Sequence, residues 1–144
     1  VTGTTAERHV LATPLMAWSL RVLVAAALVV DVVVHIRLAG GYQQASPGGI
    51  GAGNLFRVEA AVAMAVALWL LVSGSRAAFA ASIVVGLSAV VAVLLYRYVD
   101  VPAVGPLPAM YEPVWFFEKS LSAVAEAVAA VGALVAIWAL PARD

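Results

Sequence analysis

Glu118, Ser122 and Glu126 recur at every fourth position of the last apolar run, a spacing that stacks them along one face of a helix. If that helix enters a membrane near Val114 to Phe116, Glu126 lies roughly 15 Å down at 1.5 Å per residue, close to the midplane. An ionisable group in hydrocarbon is costly, so its presence is a functional hypothesis by default. A polar stripe of this kind can carry protons or bind a cation. The competing expectation is a neutral Glu126 that bonds a neighbouring helix within a bundle packed through small residues.

Asp31 and His35 form a second pair, again four residues apart and on one helical face. A carboxylate so placed orients an imidazole and raises its basicity. The same spacing can chelate a divalent metal if Glu59 or Glu118 from another helix completes the set. Two ligands at helical spacing and no second membrane-embedded His make a thin metal motif, and no metal or cofactor is assigned. Asp31 and His35 also share one membrane face with Arg57, Glu59, Arg97, Glu118 and Lys119, where an interfacial ion-pair network is the plainer expectation.

These residues are embedded in a chain of 144 residues, 65% hydrophobic and 11% charged, with no net charge. A soluble domain cannot hide that apolar fraction, whereas runs near 20 residues match the roughly 30 Å hydrocarbon core of a bilayer. The pattern predicts an all-α integral membrane four-helix bundle, a single domain over residues 1–144. Its spans run over about 14–38, 55–72, 77–98 and 114–140, with two long loops on one face. Zero net charge argues against a nucleic-acid partner. The absence of cysteine removes disulfide exchange, thiolate metal sites and iron–sulfur clusters.

Thr13-Pro14 reads as a helix start, with Thr as cap and Pro at the first helical position. Asp31, His35 and Arg37 stand where a signal peptide would need small residues for cleavage, so the first stretch reads as a retained span. Ser73-Gly74-Ser75-Arg76 predicts a tight turn. Pro102, Pro106, Pro108 and Pro113 break the segment before the last span, which Pro141 ends. Arg21, in the first half of span one, can snorkel towards the termini side or pair within the bundle, and snorkelling is the first expectation. Lys and Arg counts on the two sides nearly balance (Arg8, Arg76 and Arg143 against Arg37, Arg57, Arg97 and Lys119). The Gly- and Pro-rich character of the long loops tips the termini to the cytoplasmic side of the cell membrane.

Aromatic residues crowd the loop side, mostly as an interfacial belt. The segment from Pro108 to Lys119 is more specific than a linker needs to be. It is expected to fold over the helix ends and cap a cavity or meet a partner through Tyr111, Glu112 and Trp115. Ser82, Gly86 and Ala89 put small residues on one face of the third span.

The run His35-Ile36-Arg37-Leu38-Ala39-Gly40-Gly41-Tyr42, closing the first span, and the four-span layout with its short turn resemble small uncharacterised membrane proteins of actinobacteria. Size and layout are also similar to DoxX-like four-helix proteins, without a motif that matches residue by residue. The resemblance implies a fold and no activity. No nucleophile constellation, Cys pair or phosphate loop supports an enzyme, and no catalytic residue is assigned. Of the functions left, a non-catalytic accessory or assembly subunit of a larger membrane complex ranks first. A small oligomeric ion- or proton-coupled transporter using Glu126 is the alternative. Beyond the lipid bilayer, the expected partner is a membrane protein or a second copy of the chain.

Overall fold

The computed structural model describes residues 4–140, with side chains from Pro14 onwards. The side chains of Arg8 and Thr13, together with Pro141 and Arg143, fall outside that range. Four helices follow one another: α1 Thr4–Ala45, α2 Ala52–Ser73, α3 Arg76–Tyr98 and α4 Phe117–Ala139. All four are long and apolar enough to cross a membrane, the first over Pro14–Ala45. Their outward faces carry large apolar side chains such as Leu68, Val72, Val84, Val131 and Trp138. That surface requires lipid around it, and the chain is an all-α, multi-pass membrane protein.

Small residues set how the helices meet. On α2 the buried face is Ala60, Ala63, Ala67 and Leu70; on α4 it is Ala125, Ala129, Gly132, Ala133 and Ala136. The predicted stripe on α3 is buried as Ser82, Gly86 and Ala89. With lipid tails as apolar as leucine, close van der Waals approach is what drives helices together, and short side chains permit it. Gly86 marks a close approach of α3 to α4: a Cβ there would stand 2.6 Å from the Glu126 carbonyl oxygen. α1 packs on α2 and on α4, α4 packs on α3, and α1 scarcely touches α3 across the bundle. Val24 and Leu28 of α1 fill the centre of the termini-side half, together with Leu70 and Phe79.

Two boundaries differ from expectation. The first span does not stop at Leu38 but continues as helix through Gly40 and Gly41 to Ala45. Each glycine costs a helix roughly 1 kcal/mol relative to alanine, and tertiary contacts outweigh that cost. Ala39 is buried, the Tyr42 ring lies 4.4 Å from that of Phe56, and Gln43 Oε1 accepts from the Asn54 backbone N–H at 3.1 Å. The last helix starts at Phe117 rather than Val114, because the preceding chain is extended up to Phe116 (φ −135°). Pro14 lies inside α1 instead of opening it.

The turn between α2 and α3 is as short as the sequence predicts. Gly74 takes the left-handed conformation (φ 56°) and its N–H returns to the Leu70 carbonyl, while Ser75 caps α3 by accepting from Ala78 N. Arg21 does not snorkel. Its Nη2 donates to the Leu71 carbonyl at 2.6 Å and its Nε to that of Leu70 at 3.3 Å, with the guanidinium 4.9 Å from the Trp18 ring. The Leu70 carbonyl already accepts from Gly74 N–H, whereas the Leu71 carbonyl takes its donor from Arg21, a cation well placed at the negative dipole end of α2. Gly74 is required here twice over, since a side chain at that position would also collide with the Arg21 guanidinium.

At the opposite end the two long loops are tied to each other. Ile50 N donates to the Pro106 carbonyl at 2.8 Å and Ser46 Oγ to that of Ala109 at 2.9 Å. Residues between α3 and α4 double back through antiparallel bridges Val101–Met110 and Val104–Leu107, and Glu112 N is anchored on the Tyr96 carbonyl at 2.9 Å.

Two substitutions test this packing by thermal unfolding in detergent. Arg21→Met should cost about 1.5–3 kcal/mol, the range for charge-assisted hydrogen bonds; an unchanged midpoint would mean that Arg21 leaves the bundle for the headgroups. Gly86→Val should cost about 1–3 kcal/mol through overpacking, and an unaltered protein would contradict the close approach of α3 to α4.

Candidate functional site

Two residues from α1 and two from α4 meet in the interior. Ser122 Oγ stands 2.7 Å from Asp31 Oδ1 and 2.7 Å from Glu126 Oε1. His35 Nδ1 stands 2.9 Å from Asp31 Oδ1 and 3.1 Å from the Asp31 carbonyl oxygen. Asp31 and Glu126 are each only 1% exposed. The two i, i+4 pairs read from the sequence, one on each helix, are therefore parts of one cluster.

Hydrogen counting constrains its chemistry. A hydroxyl carries one proton, yet Ser122 stands at hydrogen-bond distance from two carboxyl groups. Both contacts are satisfied when Ser122 donates to one carboxylate and accepts from a protonated partner, and a bound cation would equally neutralise the pair. His35 supplies the one ion-pair contact among the described residues. Even so, Asp31 Oδ2 and Glu126 Oε2 are buried without any hydrogen-bond partner. Buried carboxylate oxygens in a low-dielectric interior are costly unless paired or protonated.

Above the cluster, towards the loops, lies a cavity of about 370 Å³. His35, Leu38 and Tyr42 line it from α1, Phe56 and Glu59 from α2, Ala89, Val93 and Tyr96 from α3, and Lys119 and Ser122 from α4. Met110, Glu112 and Phe116 line it from the connecting segment. The Phe56 ring sits between those of His35 (5.0 Å) and Tyr42 (4.4 Å). The Tyr42 hydroxyl donates to Glu112 Oε2 at 3.4 Å, so Glu112 bonds to the helix bundle. His35 and Ser122 belong both to the cavity wall and to the cluster, which joins the two features.

The remaining residues singled out in the sequence have other surroundings. Glu118 is half-buried one turn nearer the loops, outside the hydrogen-bonded group. Glu59 is half-buried on the cavity wall, with Oε1 unpartnered. Arg57 is exposed and bonds Asn54 Oδ1 at 2.7 Å. Arg97 lies 4.9 Å from the Tyr98 ring. Lys119 is buried, donates to the carbonyls of Glu112 and Val114, and faces the Trp115 ring at 5.3 Å. Arg57 and Lys119 thus find amide, backbone and aromatic partners, whereas Glu59 Oε1 and Arg97 Nε are buried without a hydrogen-bond partner; only Asp31 and His35 among the described residues form an ion pair. Tyr111 and Trp115 are exposed.

Sequence reasoning overlooked Phe56 and Tyr42 as parts of the cavity and treated them as interfacial aromatics. It also did not pair Asp31 with Ser122, 91 positions apart. The available signal was depth: measured inwards from the loops on two antiparallel helices, Asp31 and Ser122 are candidates for one level.

The hydroxyl bridge is open to a double-mutant cycle. Ser122→Ala should lower stability by about 1–3 kcal/mol, the cost of leaving a buried polar group unsatisfied. Combined with Glu126→Gln the losses should be non-additive by about 0.5 kcal/mol or more. Additive melting shifts would show that Ser122 does not link the two carboxyl groups.

Comparisons with known protein families, with curated proteins and with solved structures find no match for this chain.

Proposed function

We infer that this integral membrane protein is a small ion-coupled transporter in which Asp31, Ser122 and Glu126, with His35, hold the coupling cation. The observation that carries the reading is the joining of two features: buried, incompletely paired carboxyl groups on the floor, and a cavity above them reaching towards the loops. A purely structural polar contact needs neither a second carboxylate nor a cavity. Exchange of a cation needs both, because a desolvated charge must be neutralised by something that can leave.

In this reading the loop face is extracytoplasmic, the termini lie on the cytoplasmic side of the cell membrane, and several copies work together. The accessory-subunit reading is supported by a different observation, the exposure of Tyr111 and Trp115 on the connecting segment. Glu112 between them is directed to Tyr42, and Met110 and Phe116 line the cavity, so most of this segment is occupied with covering the site. That balance favours the carrier.

Reconstitution into liposomes tests it, with entrapped pH-sensitive and metal-sensitive dyes reading cation movement. Wild-type vesicles should show a flux that Glu126→Gln reduces by about tenfold or more, a loss read directly as coupling free energy. Equal rates in both, or rates no higher than in protein-free vesicles, would remove the carrier function.

A further inference from the structure

We propose that Asp31, His35 and Glu126, with Ser122 beside them, bind a divalent transition-metal ion of the Mn²⁺, Fe²⁺, Co²⁺ or Zn²⁺ class. The inference rests on the carrier reading for the role of the ion and on ligand geometry alone for its binding.

One donor atom from each of Asp31, His35 and Glu126 lies within 4.8 Å of the other two. At metal–ligand bonds of 2.0–2.2 Å, donors on opposite sides of an ion stand roughly 4.2 Å apart and neighbouring donors roughly 3 Å. The 2.9 Å between His35 Nδ1 and Asp31 Oδ1 already fits two adjacent corners of such a shell. Closing the third side is a side-chain adjustment for the three torsions of Glu126, whose carboxylate already lies within 4.8 Å of the other two donors. Two further oxygens, Asp31 Oδ2 and Glu126 Oε2, are buried and meet no donor. A proton shared between the two carboxyl groups or a bound cation satisfies such acceptors, and we assign the cation.

Charge selects the valence. Two carboxylates and a neutral imidazole sum to minus two, and a divalent ion brings the group to neutrality where uncompensated charge is most costly. Donor type selects the metal: one imidazole nitrogen with carboxylate and hydroxyl oxygens suits the borderline first-row ions. Copper(I) prefers sulfur donors, and magnesium or calcium an all-oxygen shell. The sequence pointed to Glu59 or Glu118 as the third ligand, whereas the structure brings Glu126 to the pair. Glu59 and Glu112 stand on the cavity wall with Lys119, so the wall carries two acidic groups against one basic group.

Binding can be measured on the purified full chain in detergent, without transport. Equilibrium dialysis against Zn²⁺ or Mn²⁺ should leave one ion per chain, and Co²⁺ should give the visible absorption of a mixed nitrogen–oxygen shell. Asp31→Asn, Glu126→Gln and His35→Ala should each weaken binding by about tenfold or more, while Glu118→Gln, on the same helix, should not. Zn²⁺ should raise the melting temperature of the wild type and not of His35→Ala, a half-buried position whose variant keeps the carboxylates. Wild-type protein that retains no more metal than Glu126→Gln would overturn the proposal, as would equal loss in Glu118→Gln. Glu126-dependent flux without metal binding would overturn it and leave the carrier standing. Binding without flux would uphold the metal site and remove the carrier role.

Discussion

Two carboxyl groups share one serine hydroxyl inside a membrane-spanning bundle, and the rest of the architecture is organised around that contact. Ser122 reaches Asp31 on α1 and Glu126 on its own helix at the same 2.7 Å. Hydrocarbon offers no water to such groups, so the helices must bring every partner they have. This explains why α1 and α4 pack together and why α3 approaches α4 at Gly86, opposite the Glu126 carbonyl. Removing even one methyl's worth of space there would displace the backbone that carries the acid.

The two ends of the bundle solve different problems. Towards the termini, Val24, Leu28, Leu70 and Phe79 fill the interior, and Arg21 closes the end of α2. Towards the loops, the interior is left hollow, walled by aromatic rings and covered by a segment pinned to Tyr96, Tyr42 and the other loop. Dense packing lies on one side of the cluster and a lined space on the other, with His35 and Ser122 at the boundary between the cluster and that space. The proposed carrier function rests on this asymmetry between the two ends.

Much of this was legible in the chain. Apolar runs near 20 residues, the Ser73–Arg76 turn and the prolines between 102 and 113 located four helices, because membrane spans obey a length rule with few exceptions. The i, i+4 spacing of Asp31 with His35 and of Ser122 with Glu126 marked two polar faces. That they face each other was not legible, since rotation of one helix about its axis relative to another is decided by packing of alanines whose pattern is nearly uniform round α1. The extension of α1 through Gly40 and Gly41 was hidden for a related reason: glycine argues against helix locally, and the Tyr42–Phe56 and Gln43–Asn54 contacts that override it are tertiary. Arg21 was misjudged because snorkelling is the default for a lone cation, and the carbonyls awaiting it belong to a helix 49 residues further on.

The hollow above the cluster has an electrical meaning. With solid packing on the termini side and a cavity on the loop side, water entering the cavity would leave the potential across the bilayer to fall mainly over the packed half, because a high-dielectric region sustains little field. A charge moved across the whole membrane does work of about 2.3 kcal/mol per 100 mV. A cation bound at the proposed site of Asp31 and Glu126 would then have crossed only the shallow part of that drop, and its entry from the loop side would depend little on voltage. The steep part lies ahead of it, between Ser122 and Arg21, and any onward step would be the one that voltage governs.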